Sequence, residues 1–284
     1  MRNPIAIVRA LTLPRLTARL AAMASFAAFL STAPFHAALA QTAPSLGTAQ
    51  SFSVLGGTAV TCTTSVVTGD VGVSPGTEFT STACTITGTT HVNDQAAINA
   101  HADFLSAFAA LALKQCTQTL TGTLANVTLP PGVYCFDAAA TLTGQLTLAG
   151  PANGIWIFKI GAALTATGFS VVMANGGEAC NVFWRVVDAA TMTDSALQGN
   201  ILAGAAITIT RGSLVGRALA NAAVTLTDTN IHGSCALMAQ KHECDADDDK
   251  DKDKDNDHNK NHDKDKDRDH DKDHERDHGE RHRS

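Results

Sequence analysis

The chain has 284 residues, of which 44% are hydrophobic and 17% are charged, and its formal net charge is −6. This length is enough for a domain with a sizeable hydrophobic core. The acidic balance excludes nucleic acid as an expected partner, because no basic stretch is present to bind phosphates. The charges are spread unevenly and divide the chain into three predicted segments, residues 1–40, 41–240 and 241–284.

Residues 1–40 have the pattern of a secretory signal peptide. Four arginines precede or border the apolar run LAAMASFAAFL, and the small residues AALA follow it. The run has 11 residues, which is too short to cross a bilayer, so no membrane span is expected. We predict that the chain is exported and that the signal is cleaved after Ala40.

Seven cysteines lie beyond the predicted signal, and export makes disulfides their expected state. Proximity in the sequence favours two pairs, and a third is a weaker expectation, since sequence does not fix connectivity. The two favoured pairs are Cys62–Cys84 and Cys116–Cys135, and the weaker expectation is Cys180–Cys235. Cys244 is then left over. No Cys-x-x-Cys spacing occurs, so a zinc or redox site is not expected.

The phrase Thr-x-Thr recurs along the middle segment, and its last three copies follow one another at intervals of 17 residues. The copies include Thr61/Thr63, Thr85/Thr87, Thr141/Thr143, Thr165/Thr167, Thr191/Thr193, Thr208/Thr210 and Thr225/Thr227. Alternate side chains of a strand face opposite ways, so the threonines define one face and the apolar residues between them define a core. A period of 17 is too short for a helical repeat and fits one coil of a β-solenoid.

One segment, NDQAAINAHADFLSAFAALALKQ from Asn93, breaks this pattern and predicts a helix. Asn93 or Asp94 would cap its N-terminus. Apolar residues recur at helical spacing and predict a stripe that packs along one flank of the solenoid. The stripe consists of Ile98, Ala102, Leu105, Phe108, Ala109 and Ala112. His101 is expected to be a structural or surface histidine.

The middle segment lacks the convergent reactive groups of an enzyme. Its nine acidic residues are scattered, mostly beside glycine or alanine. Asp194 and Asp228 occupy matching places after two threonine phrases, which would suit a pair of carboxylates that cleaves glycans, but turn residues are the favoured interpretation. No nucleophile elbow, phosphate loop or histidine cluster occurs. The sequence therefore predicts a non-enzymatic protein with an extended binding surface.

Residues 241–284 hold 18 of the 27 acidic and 12 of the 21 basic residues, and are predicted to be a disordered Asp/Lys/His-rich tail. A solvated polyampholyte is the favoured interpretation. Several histidines share a four-residue spacing, which leaves weak binding of a divalent metal by the tail as an alternative. The residues that would supply it are His270, His274, His278 and His282.

Eight segments of the middle region resemble, in order, the ice-binding-protein family of secreted microbial antifreeze solenoids. They are FSVLGGTAVT, GDVGVSPGT, LPPGVYCF, LTGQLTL, IWIFKIG, ACNVFWRV, GNILA and GRALA. The resemblance covers about Ser51–Gly233. It implies a mostly β fold, a right-handed triangular discontinuous β-solenoid with one long α-helix packed alongside. It also implies adsorption to ice, with inhibition of ice growth and recrystallisation and without a cofactor.

Some members of that family carry a loose Thr-(Ala/Gly)-x-(Thr/Asn) phrase on the ice-binding face. In this chain, partial matches to that phrase begin at the end of the Thr-x-Thr phrases. The charged residues Asp194, Arg211 and Asp228 interrupt them. The ice contacts implied by the resemblance are Thr167, Ser170, Thr193, Ser195, Thr210, Ser213, Thr227 and Thr229. The alternative function is a cell-surface adhesin or matrix solenoid that binds polysaccharide.

Overall fold

The fold is taken from a computed structural model, which describes residues 42–233. The expected signal peptide, the charged tail with its histidines, Cys235 and Cys244 all lie outside the described residues.

Short strands make up most of the described residues, as the mostly β prediction requires. In chain order the strands are β1 (Phe52–Gly56), β2 (Ala59–Thr63), β3 (Val66–Thr68), β4 (Asp70–Val73), β5 (Glu78–Thr82), β6 (Thr85–Ile86), β7 (Thr90–Val92), β8 (Gln118–Thr119), β9 (Val127–Leu129), β10 (Gly132–Phe136), β11 (Ala140–Ala149), β12 (Trp156–Ile160), β13 (Leu164–Ala174), β14 (Val182–Val186), β15 (Ala190–Thr193), β16 (Ala196–Gln198), β17 (Asn200–Ala203), β18 (Ile207–Val215), β19 (Ala218–Ala220) and β20 (Val224–His232). The helix α1 spans Gln95–Ala112, and two 3₁₀ turns span Gly47–Ser51 and Ala179–Asn181.

The strands form two parallel sheets, and the chain alternates between them. The first sheet has the order β7-β4-β1-β19-β17-β14-β12-β10-β8. The second has the order β5-β2-β20-β18-β15-β13-β11-β9, with β3, β6 and β16 paired alongside. The strands of the first sheet do not follow one another in chain order, because β1 lies between β4 and β19. Helix α1 connects β7, at one end of the first sheet, with β8 at the other.

Seven passages through the second sheet are each interrupted by one residue with a positive φ, between 48° and 73°. These residues are Ala83, Thr64, Asp228, Arg211, Asp194, Gly168 and Gly144. Such an insertion bends a strand and redirects its side chains. Glycine adopts this conformation without strain, and aspartate tolerates it better than most residues. The second sheet therefore has a first arm, before these residues, and a second arm, after them.

The core lies between the two sheets and is built around stacked aromatic rings. The ring centroids of Phe158 and Trp184 are 4.0 Å apart, and those of Tyr134 and Phe158 are 5.5 Å apart. Trp184 is fully buried, and its indole nitrogen donates to the Gln198 carbonyl. Since these rings come from successive strands of the first sheet, they tie neighbouring turns of the chain together.

Helix α1 covers the outer side of the first sheet. Asp94 is its N-cap, as expected, and accepts a hydrogen bond from the Ala97 amide at 2.9 Å. The predicted packing stripe was wrong, because Ile98 and Leu105 are 43% and 41% exposed and Ala102 and Ala109 are also exposed. The buried residues are Ala97, Ala100, Phe104, Ala107 and Leu111. The helix has a single charged residue, Asp103, so it is apolar on several sides and its spacing fits more than one stripe.

Two cations of the first sheet hold the C-terminal end of α1. Lys159 Nζ donates to the carbonyls of Ala112 and Lys114, both at 2.8 Å. Arg185 Nε donates to the Phe108 carbonyl, and its guanidinium lies 4.3 Å from the centroid of the Phe108 ring. Positive groups at a helix C-terminus interact favourably with its unpaired carbonyls. These contacts attach α1 to β12 and β14.

We expect the stability of this helix–sheet contact to fall as the pH falls, through His101. Burial lowers the pKa of His101, although a hydrogen bond with Asn221 opposes the shift. Its Nε2 is buried and has no hydrogen-bond partner among the described residues. The unfolded chain has a histidine pKa of about 6.5, so it takes up the proton first. The stabilisation that neutral His101 gives to the folded protein is therefore complete above about pH 6.5. It is lost as the pH falls through the pKa of His101 in the folded protein.

Urea unfolding at about pH 7 and about pH 5 checks this expectation. The free energy of unfolding should drop less in His101→Phe than in the unmodified protein, because phenylalanine keeps the ring contact with Phe104 and cannot be protonated. Every other effect of pH is common to the two proteins and cancels in the comparison. An equal drop in the two proteins would contradict the role of His101.

Candidate functional site: the threonine face

The outward side of the first arm carries two aligned columns of threonine, which we call the threonine face. Strand pairing places the first column in the order Thr80, Thr61, Thr225, Thr208, Thr191, Thr165 and Thr141. The second column has the order Thr82, Thr63, Thr227, Thr210, Thr193 and Thr167. All 13 side chains are exposed or half-buried. Neighbouring strands lie about 4.8 Å apart and alternate residues about 6.7 Å apart, so the columns form a regular grid.

The residues between the two columns hold this grid from beneath. Leu226, Ile209, Met192, Ala166 and Leu142 are each at most 1% exposed and belong to the core. Threonine is also stiff at its first side-chain torsion because it is branched at Cβ. The buried side of each strand and the branched outward side chain therefore fix the positions of the methyl and hydroxyl groups before any ligand arrives.

The structure corrects the assignment of one threonine pair. Thr85 pairs with Val66 in the second arm, so Thr85/Thr87 does not extend the threonine face. Thr80 and Thr82 occupy that place instead, opposite Thr61 and Thr63. The reason is Ala83, which has φ 50° and ends the first arm just before Thr85.

Two of the expected ice contacts, Ser195 and Thr229, are buried and have no surface to offer a ligand. They are 4% and 1% exposed. Each hydroxyl donates to the carbonyl two residues earlier, Ser195 to Thr193 at 2.8 Å and Thr229 to Thr227 at 2.9 Å. Ser65 makes the same bond to the Thr63 carbonyl. These residues brace the bend between the arms and are removed from the proposed contact set.

Two others, Ser170 and Ser213, lie on the second arm, on a surface without a repeating residue type. Both are half-buried. Their column contains Gln145, Ser170, Ala196, Ser213, Asn230, Val66 and Thr85. Amide, hydroxyl, methyl and branched apolar groups alternate there, so the second arm does not present the ordered grid of the first. Thr167, Thr193, Thr210 and Thr227 are brought together in the second threonine column.

A charged edge borders the second column at the bend. Arg211 donates to Asp194 through Nε at 2.8 Å and through Nη2 at 2.9 Å, and all of these groups are exposed. The hydrogen bond from Arg211 lowers the pKa of Asp194 and raises that of Arg211. Asp228 adds a further attraction for the guanidinium. Asp194 and Asp228 are therefore bend residues with Arg211 between them, which favours the structural interpretation over a catalytic pair.

The outer side of the first sheet is covered and offers no comparable surface. Leu55, Leu202, Leu219, Ile157 and Val133 pack there against α1 and the 3₁₀ turn Gly47–Ser51, and each is at most 1% exposed. The outer side of the first sheet is therefore covered, the second arm is irregular, and the first arm carries the threonine grid.

Disulfides attach the terminal turns of the stack to their neighbours. Cys62 is joined to Cys84 beside β5 and β6, and Cys116 is joined to Cys135 beside β8. Cys180 is also disulfide-bonded, and its expected partner Cys235 lies outside the described residues.

The described residues give little support to other kinds of site. No group of three or more His, Cys, Asp and Glu side chains within residues 42–233 is arranged to hold a metal ion. A hollow of about 400 Å³ beside β10 and β11 contains one carboxylate, Asp137. Over the same residues, no helix is both long and apolar enough to cross a bilayer.

Comparison with known proteins identifies the family. The family model described as Ice-binding-like matches residues 54–232, more than half of the chain. The chain belongs to the Ice-binding-like family. The Ice-binding-like match includes every threonine of both columns.

Relatives and a solved structure agree with this assignment. An ice-binding protein of Nostoc sp. (strain HG1) is 41% identical over 168 residues, which is 57% of this chain and 62% of that protein. One of Flavobacterium frigoris (strain PS1) is 31% identical over 193 residues, or 57% of this chain and 66% of that protein. The crystal structure of an ice-binding protein from Antarctomyces psychrotrophicus matches with a TM-score of 0.64 and 37% identity, covering 67% of this chain and 98% of that one. The matched part of the chain thus spans less than two thirds of the length of each of the two relatives.

The sequence-based site missed the first threonine column. Following the Thr-(Ala/Gly)-x-(Thr/Asn) phrase of Ice-binding-like proteins selects the second threonine of each pair and the residues after it, across the bend. The signal for most of the first column was present in the sequence, because six of the Thr-x-Thr phrases enclose an apolar residue that is buried, and alternation then turns both threonines outward.

Proposed function

We propose that this protein binds ice, and that the threonine face is its ice-contacting surface. The observation that carries the proposal is the alignment of 13 threonines in two columns across the first arm. The relatives and the solved structure are ice-binding proteins, which supports ice as the ligand. No observation favours the polysaccharide-binding adhesin.

The mechanism is adsorption through many weak contacts made together. Each hydroxyl or methyl group contributes little, but the core beneath the grid and the branched side chains fix their spacing, so little entropy is lost when the grid meets an ordered surface. Water held by the threonine face can then match the outermost layer of the crystal. Bound molecules hinder further growth and recrystallisation, and no covalent step or cofactor is needed.

The proposal also covers how the sheets are arranged into a solenoid. We infer a right-handed, triangular, discontinuous β-solenoid whose three sides are the first sheet, the first arm and the second arm. The column of positive-φ residues supports a corner between the two arms. The position of β1 between β4 and β19 supports the discontinuity.

We also propose that the protein acts outside the cell, as a binding protein and not as an enzyme. The apolar run before Ala40 and the disulfides of the described residues support export. Residues 241–284 would serve as a soluble polyampholyte, with weak binding of divalent metal as the alternative for their histidines.

Growth of ice grains in a frozen sucrose film tests the function. We expect the purified protein to stop recrystallisation and to partition into a growing ice hemisphere, because adsorption places it at the crystal surface. Grains that coarsen as fast as in buffer, at high protein concentration, would refute ice binding. Retention on an insoluble glycan without partition into ice would identify the adhesin instead.

A further inference from the structure

One strand of the threonine face, β5, differs from the others at the position two residues before its first-column threonine. Each first-column threonine is preceded, two positions earlier in the sequence, by another outward-facing residue. That residue is alanine before six of the seven threonines, and it is Glu78 before the seventh, Thr80. The alanines are Ala59, Ala139, Ala163, Ala189, Ala206 and Ala223. Glu78 lies directly opposite Ala59 in the strand pairing.

Glu78 lies at the end of the grid and in line with its threonines. It begins β5, the last strand of the second sheet, where Thr80 and Thr82 continue both columns. Its side chain is exposed. Within residues 42–233 the ion pairs are His91–Asp94 and Arg211–Asp194, so no cation there neutralises Glu78.

We propose that Glu78 sets the end of the ice-contacting surface. This inference rests on the proposed function. A carboxylate in water holds its own hydration shell, and bringing it against an uncharged ordered surface would require that shell to be given up. Ice contact therefore stops before β5, and Thr80 and Thr82 are excluded although they are in register.

Because Glu78 lies on an edge strand, it has a second possible role that competes with the boundary role. Charged residues on the last strand of a sheet prevent it from pairing with the edge of another molecule. This role concerns self-association, whereas a boundary role concerns ice activity of the monomer, so the two are separable by experiment.

The experiment compares three variants of the full chain in the recrystallisation assay. Glu78→Ala completes the alanine position and admits Thr80 and Thr82 to the ice, so it should lower the protein concentration that stops grain growth by about twofold or more, the change expected of a few weak added contacts. Glu78→Gln removes the charge but keeps the length, so its gain should be smaller. Glu178→Ala is the matched control, because Glu178 is an exposed acid before the 3₁₀ turn Ala179–Asn181 and outside the threonine face.

Each outcome decides the inference. A Glu78→Ala protein no more active than Glu178→Ala would overturn it while leaving ice binding in place. A gain confined to a self-associated fraction in size-exclusion chromatography would assign Glu78 to edge protection and would also overturn it. If Glu78→Ala does not fold, Glu78→Gln decides by the same comparison. An inactive unmodified protein would refute the proposed function, and the boundary role with it.

Discussion

Thr208→Tyr should remove most of the ice activity and leave the fold intact. Thr208 is the middle member of the first column, so a tyrosine ring there would lift the whole grid from the crystal plane. We expect the concentration that stops recrystallisation to rise by about tenfold or more, equivalent to the loss of about 1.4 kcal/mol of binding. The free energy of unfolding should change by less than about 0.5 kcal/mol, because the side chain points outward.

Ser213→Tyr is the matched control, since Ser213 lies on the same strand, β18, and is also half-buried, but belongs to the second arm. It should keep its ice activity. The reverse result, with Ser213→Tyr inactive and Thr208→Tyr active, would move the ice-contacting surface to the second arm. Unfolding curves of both variants show whether any loss of activity comes from the fold.

Replacing Cys62 and Cys84 together by alanine should lower the free energy of unfolding by about 2–4 kcal/mol, the usual contribution of a disulfide. The bond joins the buried Cys62 to the turn that carries β5, β6 and β7. The residues of β5 are mostly exposed, so this turn gains little from burial and depends on the link. Without it the unfolded chain gains freedom and the terminal turn separates more readily from β2 and β3.

Urea unfolding and amide hydrogen exchange measure this effect. Exchange should accelerate most in residues 78–92, and the ice activity of the remaining strands should persist. The Cys116→Ala/Cys135→Ala protein serves as the comparison, because its bond lies at the opposite end, beside β8. Unchanged stability and unchanged exchange in residues 78–92 would show that packing alone holds the terminal turn.

Alternation in the threonine phrases was enough to predict the outward and inward sides of the first arm. Thr208 and Thr210 face outward around the buried Ile209, as a period of two requires. The capped helix after Asp94 was also predictable, because an aspartate precedes an apolar helical period. Both features depend on residues that are neighbours in the sequence.

The bends between the arms were not predictable from the same pattern. Thr227 and Thr229 read as one more Thr-x-Thr phrase, yet Asp228 has φ 50° and breaks the alternation, so Thr229 turns inward. Threonine and serine suit both an exposed strand and a buried hydroxyl bonded to a backbone carbonyl, and composition does not distinguish the two. The side of α1 that packs on the sheet was ambiguous for a similar reason, because few charges mark its solvent side.

The position of β1 limits how this molecule can lengthen during evolution. A linear repeat protein gains length when repeats are added at either end of its chain. Here the first and last strands of the first sheet in chain order, β1 and β19, pair with each other in its interior. The free edges belong to β7 and β8, which flank α1 in the sequence. Duplication at a chain terminus therefore cannot enlarge the threonine face, and a wider face requires insertion within the chain, together with a longer α1 to span the taller stack.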